Sequence, residues 1–172
     1  PHLGNYSVRE DLGINLLDYG CVRVFPPRFI GGVVDLYRAL QSGDEDLAVD
    51  AFERWGFKGL RRDMIDTLLI WAKFLYGPLL DDCVRQIDAS GRPGEYGRET
   101  AQKVHRLLKE QGSVTIPREF VFMDRATIGV GSVFMHLRAE LNWCRMFNEM
   151  IADFDEARLA AEQGVALKAA GL

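Results

Sequence analysis

Asn5-Tyr6-Ser7-Val8, Arg9-Glu10-Asp11-Leu12-Gly13 and Ile14-Asn15-Leu16-Leu17-Asp18 follow one another at the head of the chain. The outer two segments read as short strands. The middle one supplies the Asp and Gly that a tight reversal favours, because Gly accepts positive φ at no steric cost. A β-hairpin is therefore predicted, and it would bring Asn5 and Asp18 side by side at its open end. After Gly20 the spacing of apolar residues changes to a helical period and stays so to the C-terminus. The predicted fold is mainly α, a short N-terminal hairpin followed by about six or seven helices.

Pro26-Pro27 can open the first helix, where missing N–H groups do no harm, and Ile30, Val33, Val34, Tyr37 and Leu40 then recur at helical steps up to a stop at Gly43. Ser42 and Glu45 have the spacing of a capping box, with Leu47, Ala48, Ala51 and Phe52 as the buried stripe of a second helix. From Arg61 to Tyr76, Ile65, Leu68, Leu69, Ala72, Leu75 and Tyr76 share a face that Met64, Trp71 and Phe74 widen, which marks this helix as central to the core. The Pro- and Gly-rich stretch 89–97 reads as a surface loop. Val104, Leu107 and Leu108 mark a helix ended by Gly112, and Pro117 at a first helical position opens another. Leu137, Leu141, Cys144, Phe147 and Ile151 define the next, and an Ala-rich helix starts near Asp153.

The 172 residues suit a single domain, and 48% hydrophobic with 27% charged residues excludes disorder and collagen-like repeats. A net charge of −4 offers no electropositive footprint for a phosphate backbone, so nucleic acid is not an expected partner. The uncharged apolar stretch between Arg125 and Arg138 runs to 12 residues, short of the roughly 18–20 that span a bilayer. No transmembrane span is expected, and no signal peptide is visible, although a truncated start could have removed one. Cys21, Cys83 and Cys144 fit neither a disulfide framework nor a metal motif and read as reduced, mostly buried thiols of a cytoplasmic protein.

Asn5 and Asp18 would converge as two oxygen donors, the kind of site hard cations select when phosphate and water complete the shell. On residue types alone, a hairpin whose Asp and Gly serve only the turn stays open as the alternative. His2 either braces its loop or transfers a proton, whereas His105 and His136 read as structural. Gly129-Val130-Gly131 lacks a preceding strand and a third Gly, so it reads as a close-packing segment. Asp44-Glu45-Asp46 suits a helix start, Asp81-Asp82 a solvated loop, and Arg61-Arg62 is too small a basic patch for lipid headgroups. Neither a G-x-S-x-G elbow nor an H-E-x-x-H helix occurs.

Pro1-His2-Leu3-Gly4-Asn5-Tyr6 and Leu16-Leu17-Asp18-Tyr19-Gly20 together resemble the paired D-P-H-P-G-N and L-x-D-[FY]-G motifs of the UbiB/AarF family of atypical protein-kinase-like proteins. Ile116-Pro117-Arg118-Glu119-Phe120, Met123-Asp124-Arg125-Ala126, Gly129-Val130-Gly131 and Leu141-Asn142-Trp143 look like that family's C-terminal segment, in the same order. Leu3 stands where the family commonly has Pro and Tyr19 where it has Phe. Neither change removes a metal ligand.

The resemblance implies a protein-kinase-like C-lobe fragment, with a metal-binding hairpin over 1–20 and a helical region over 21–172. It implies Asp18 as principal ligand and Asn5 as second ligand of the Mg²⁺ on a bound ATP, with Tyr19-Gly20 orienting the strand that carries Asp18. The catalytic-loop Asp would fall just before Pro1, and the family's K-x-G-Q motif, Ala-rich nucleotide loop and strand Lys would precede it, so the isolated fragment is expected to be inactive. The parent protein would be a cytoplasmic atypical kinase or ATPase supporting ubiquinone or isoprenoid-lipid metabolism, open to membrane association and to membrane-associated biosynthetic partners. The competing expectation is a helical interaction module whose Met64, Trp71 and Phe74 form an exposed surface for a lipid or a partner helix, without nucleotide chemistry.

Overall fold

The computed structural model describes residues 3–18, 22–87, 98–111 and 117–171, excluding the side chains of residues 3, 98, 99, 101, 105, 108, 109 and 111. The expected loop at 89–97 and stop at Gly112, together with Pro1, His2, Tyr19, Gly20, Cys21 and the His105 side chain, lie outside the described residues. The described chain is mainly helical. A 3₁₀ turn, Leu3–Asn5, leads into β1 (Tyr6–Val8) and β2 (Ile14–Leu16). Then come α1 (Pro27–Ser42), α2 (Glu45–Trp55), α3 (Arg62–Leu80), β3 (Val84–Arg85), α4 (Arg98–Gln111), α5 (Arg118–His136), β4 (Leu141–Asn142), α6 (Trp143–Ile151) and α7 (Glu156–Ala169).

The hairpin forms as the sequence predicts, antiparallel, with Tyr6 opposite Leu16 and Val8 opposite Ile14. Its turn works differently from expectation. The residue at positive φ is Leu12, at 63°, not Gly13. Asp11 makes this tolerable by accepting a hydrogen bond from the Gly13 amide at 2.9 Å and from the Arg9 guanidinium at 3.0 and 3.1 Å. Those donors, Arg9 first, hold the Asp11 carboxyl below its usual range. The Arg9 guanidinium lies over Gly13, where a Cβ would come 2.5 Å from its Cζ and displace the side chain.

Helix ends show where local chemistry was read correctly and where it was not. Pro27 opens α1, and Gly43 closes it in the left-handed region at φ 74°. The N-cap of α2 is Asp44, whose carboxylate accepts from the Leu47 amide at 3.0 Å. Ser42 bonds back to the Arg38 carbonyl at 2.9 Å, so the Ser42–Glu45 capping box does not form. Pro117 is the N-cap of α5 rather than its first helical residue. The helix expected over Leu137–Ile151 is split: Leu137 caps α5, Arg138 turns at φ 50°, and Leu141 sits in β4, paired with Arg85 of β3. Asn142 then caps α6 by accepting from the Arg145 amide at 2.9 Å.

The core lies where α1 meets α2 and α3. Leu36 and Tyr37 of α1, Ala51 and Phe52 of α2, and Thr67 and Leu68 of α3 are buried in it. The buried face of α1 is wider than the predicted stripe, since Phe29, Gly31, Gly32 and Ala39 are also covered. Gly31 and Gly32 let α2 and α7 approach. A Cβ on Gly31 would lie 2.6 Å from the Glu156 carboxylate, in the space where Arg54 of α2 meets Asp35 of α1 (2.6 Å) and Glu156 of α7.

One polar cluster forms around the buried Tyr37 at the junction of α1, α3 and α6. The Tyr37 hydroxyl accepts from Asn148 at 2.7 Å and from Gln41 at 2.9 Å, and donates to the Leu79 carbonyl at 3.2 Å. It thereby satisfies a carbonyl in the last turn of α3, which runs past the predicted Tyr76 through Pro78 to Leu80. Removing this hydroxyl with Tyr37→Phe should lower stability by about 1 kcal/mol, because the half-buried Leu79 carbonyl loses its donor while the exposed Gln41 and Asn148 side chains can turn to water. Urea unfolding measures it, and a loss below about 0.5 kcal/mol would show that the carbonyl finds another donor.

Candidate metal site

Asn5 and Asp18 are thirteen positions apart in sequence, and the hairpin joins them. Beyond the Tyr6–Leu16 pair the ladder continues by one bond, from the Leu17 amide to the Asn5 carbonyl at 2.8 Å. That bond fixes the separation of the two strand ends, and the Asn5 amide nitrogen lies 3.3 Å from Oδ2 of Asp18. Asn5 is half-buried and Asp18 is exposed, so the pair opens to solvent.

A divalent ion would draw the amide oxygen of Asn5, rather than its nitrogen, toward the carboxylate, a half-turn about the terminal torsion. One carboxylate and one amide make a sparse donor set. It suits Mg²⁺, which keeps several waters and is commonly held by one or two protein groups plus substrate phosphates. It does not suit a closed protein cage, and among the described residues no cluster of three or more His, Cys, Asp or Glu could hold a metal.

The other candidates are placed as follows. Asp82 is an ion-pair residue: Arg145 at 2.8 Å and Asn142 at 2.7 Å bind its carboxylate and, Arg145 foremost, lower its pKa. Asp81 pairs with Arg85. Arg61 pairs with Asp63 at 2.9 Å and Arg62 with Glu45 at 2.7 Å, which leaves no basic patch there. His136 is an exposed residue in the last turn of α5. Gly129-Val130-Gly131 lies inside α5, which continues through it, and at Gly131 the close packing is not found: nothing lies within 4 Å of a Cβ built there. Cys144 is buried as expected, but Cys83 is exposed. Met64 is buried at 8% exposure, while Trp71 and Phe74 are half-buried and pack on each other with centroids 5.4 Å apart.

Two features go beyond what the motifs indicate. Tyr6, Val8, Ile14 and Leu16 share one face of the hairpin by strand parity, and Val8 and Ile14 are strongly exposed. The alternation with Ser7 and Asn15, which bond to each other at 3.1 Å, was the available signal. Asp124 is the second. Burial raises its pKa, against a hydrogen bond from Trp71, and its Oδ1 has no partner. Only three-dimensional packing determines that. Among the described residues no helix is long and apolar enough to cross a membrane. Comparison with protein-family models, with curated proteins and with solved structures finds no match.

Proposed function

We propose that this chain is the C-terminal lobe of a UbiB/AarF-like atypical kinase or ATPase, and that Asn5 and Asp18 hold the Mg²⁺ of a bound ATP. The approach of the two side chains to 3.3 Å at the solvent-open end of the hairpin carries this reading. Bound there, Mg²⁺ would neutralise charge on the nucleotide phosphates. Asp18 supplies the negative charge the ion requires, Asn5 a neutral oxygen, and the hairpin ladder, whose last bond runs from the Leu17 amide to the Asn5 carbonyl, brings the two together. The wider role, support of ubiquinone or isoprenoid-lipid metabolism by the whole protein, rests on the motifs of residues 1–20 and 116–143.

The test is ATP binding by the full-length protein, measured by calorimetry with and without Mg²⁺, comparing wild type with Asp18→Asn. Wild type should bind ATP more tightly with Mg²⁺. Asp18→Asn should lose about tenfold of that gain, since the substitution keeps the shape and removes the charge. Equal Mg²⁺ dependence in both proteins would refute the role of Asp18.

A further inference from the structure

We infer that α7 is a latch: it undocks from α1 as one unit while the core stays folded, and the Arg54–Glu156 ion pair, in the space that Gly31 leaves open, is its fastening. None of the described residues of α7 is buried, and none belongs to the hydrophobic core, to which Phe147 and Ile151 of the preceding α6 still contribute. The residues of α7 that are half-buried, Glu156, Leu159, Gln163 and Leu167, recur at helical steps, and only two of them are apolar. Two polar contacts tie this helix to the body. Arg54 of α2, which also donates to Asp35 of α1 at 2.6 Å, reaches the Glu156 carboxylate, and Gln163 donates to the Phe25 carbonyl at 3.0 Å.

An element attached by few buried apolar groups opens at a lower free energy than the whole domain unfolds. Once off the surface, α7 loses its own structure as well, because a helix of 14 residues is marginal in water. Gly164 weakens it further, and nothing lies within 4 Å of a Cβ built there, so no packing contact requires a glycine. The amides of α7 therefore report on its release. Gly31 sets the strength of the fastening. A Cβ at that position would lie 2.6 Å from Oε2 of Glu156 and 2.9 Å from Cζ of Arg54, the far ends of two flexible side chains rather than backbone. An added methyl is accommodated by parting that ion pair, while Arg54 keeps Asp35.

The experiment is native-state hydrogen exchange on the full-length protein, comparing the amides of α7 with those of α1 and α2, with the melting temperature measured alongside. In wild type, α7 should exchange at least about 100-fold faster than the buried turns of α1. Gly31→Ala and Glu156→Gln should each speed exchange in α7 about tenfold, leave α1 and α2 as they are, and move the melting temperature by no more than about 3 °C. Combined, they should do no more than either alone, since both remove the same contact. Gly164→Ala should act in the opposite direction and slow α7 about fourfold. If α7 exchanges only as fast as the core, it opens by global unfolding and the latch is overturned. If Gly31→Ala leaves α7 unchanged, the ion pair is not its fastening and the inference fails there. Faster exchange in α1 and α2 together with α7, in either variant, would make the contact part of the core and overturn the latch as well.

Discussion

Trp55→Ala should lower the unfolding free energy by about 4 kcal/mol, within the range for deleting a buried large aromatic. Trp55 is 4% exposed at the C-terminal end of α2, and its ring meets Phe29 of α1, Phe52 of its own helix and Phe120 of α5, at centroid distances of 5.7, 5.9 and 5.4 Å. Its indole N–H donates to the Phe29 carbonyl at 3.2 Å. Truncation would remove apolar area, leave a cavity shared by three helices, and strip a buried carbonyl of a partner, and these costs have the same sign. It would also loosen α5, none of whose described residues is buried and whose first turn reaches the core through Phe120. Urea unfolding gives the number, and a loss under about 1.5 kcal/mol would mean the site collapses around the missing ring.

Gly32→Val should cost about 3 kcal/mol, even though a side chain at a helical glycine ordinarily gains several tenths of a kcal/mol in propensity. The reason is again Trp55. A Cβ at position 32 would lie 2.9 Å from both Cδ1 and Nε1 of the indole and 3.1 Å from the Ala51 carbonyl oxygen. Neither neighbour can give way easily, since the ring is held by its hydrogen bond and its stacked partners and Ala51 is helical backbone. The two substitutions should therefore not add. In a Trp55→Ala background the added methyls fill space the indole has left, and the cost of Gly32→Val should fall to about 1 kcal/mol, a coupling of roughly 2 kcal/mol. Additive behaviour would show that α1 and α2 do not touch through this pair.

The candidate site was legible to an unusual degree, because it depends on local geometry. A reversal at Arg9–Gly13 between two strands of matched length is enough to set Asn5 against Asp18, and the structure places them in hydrogen-bond contact. The Arg23–Glu119 ion pair was not legible. Glu119 reads as a motif residue and as a negative charge near a helix N-terminus, and its partner lies 96 positions away. Ser42 misled for a related reason: its spacing to Glu45 has the capping-box form, yet a better-placed acceptor, Asp44, took the cap and Ser42 turned back onto its own helix.

What the sequence determined by itself was the class of each element and most of its ends: the hairpin, the start of α1 at Pro27, its stop at Gly43, and helix after helix to α7. Such features are settled by contacts within a few residues, by caps, prolines and turn chemistry. Tertiary structure alone decided that β3 and β4 pair and so divide a predicted helix, that Gly31 and Gly32 mark close helix approach, and that Arg54 joins Asp35 and Glu156. Helix pairing and register depend on which distant surfaces meet, and the local periods of a sequence carry no record of that choice.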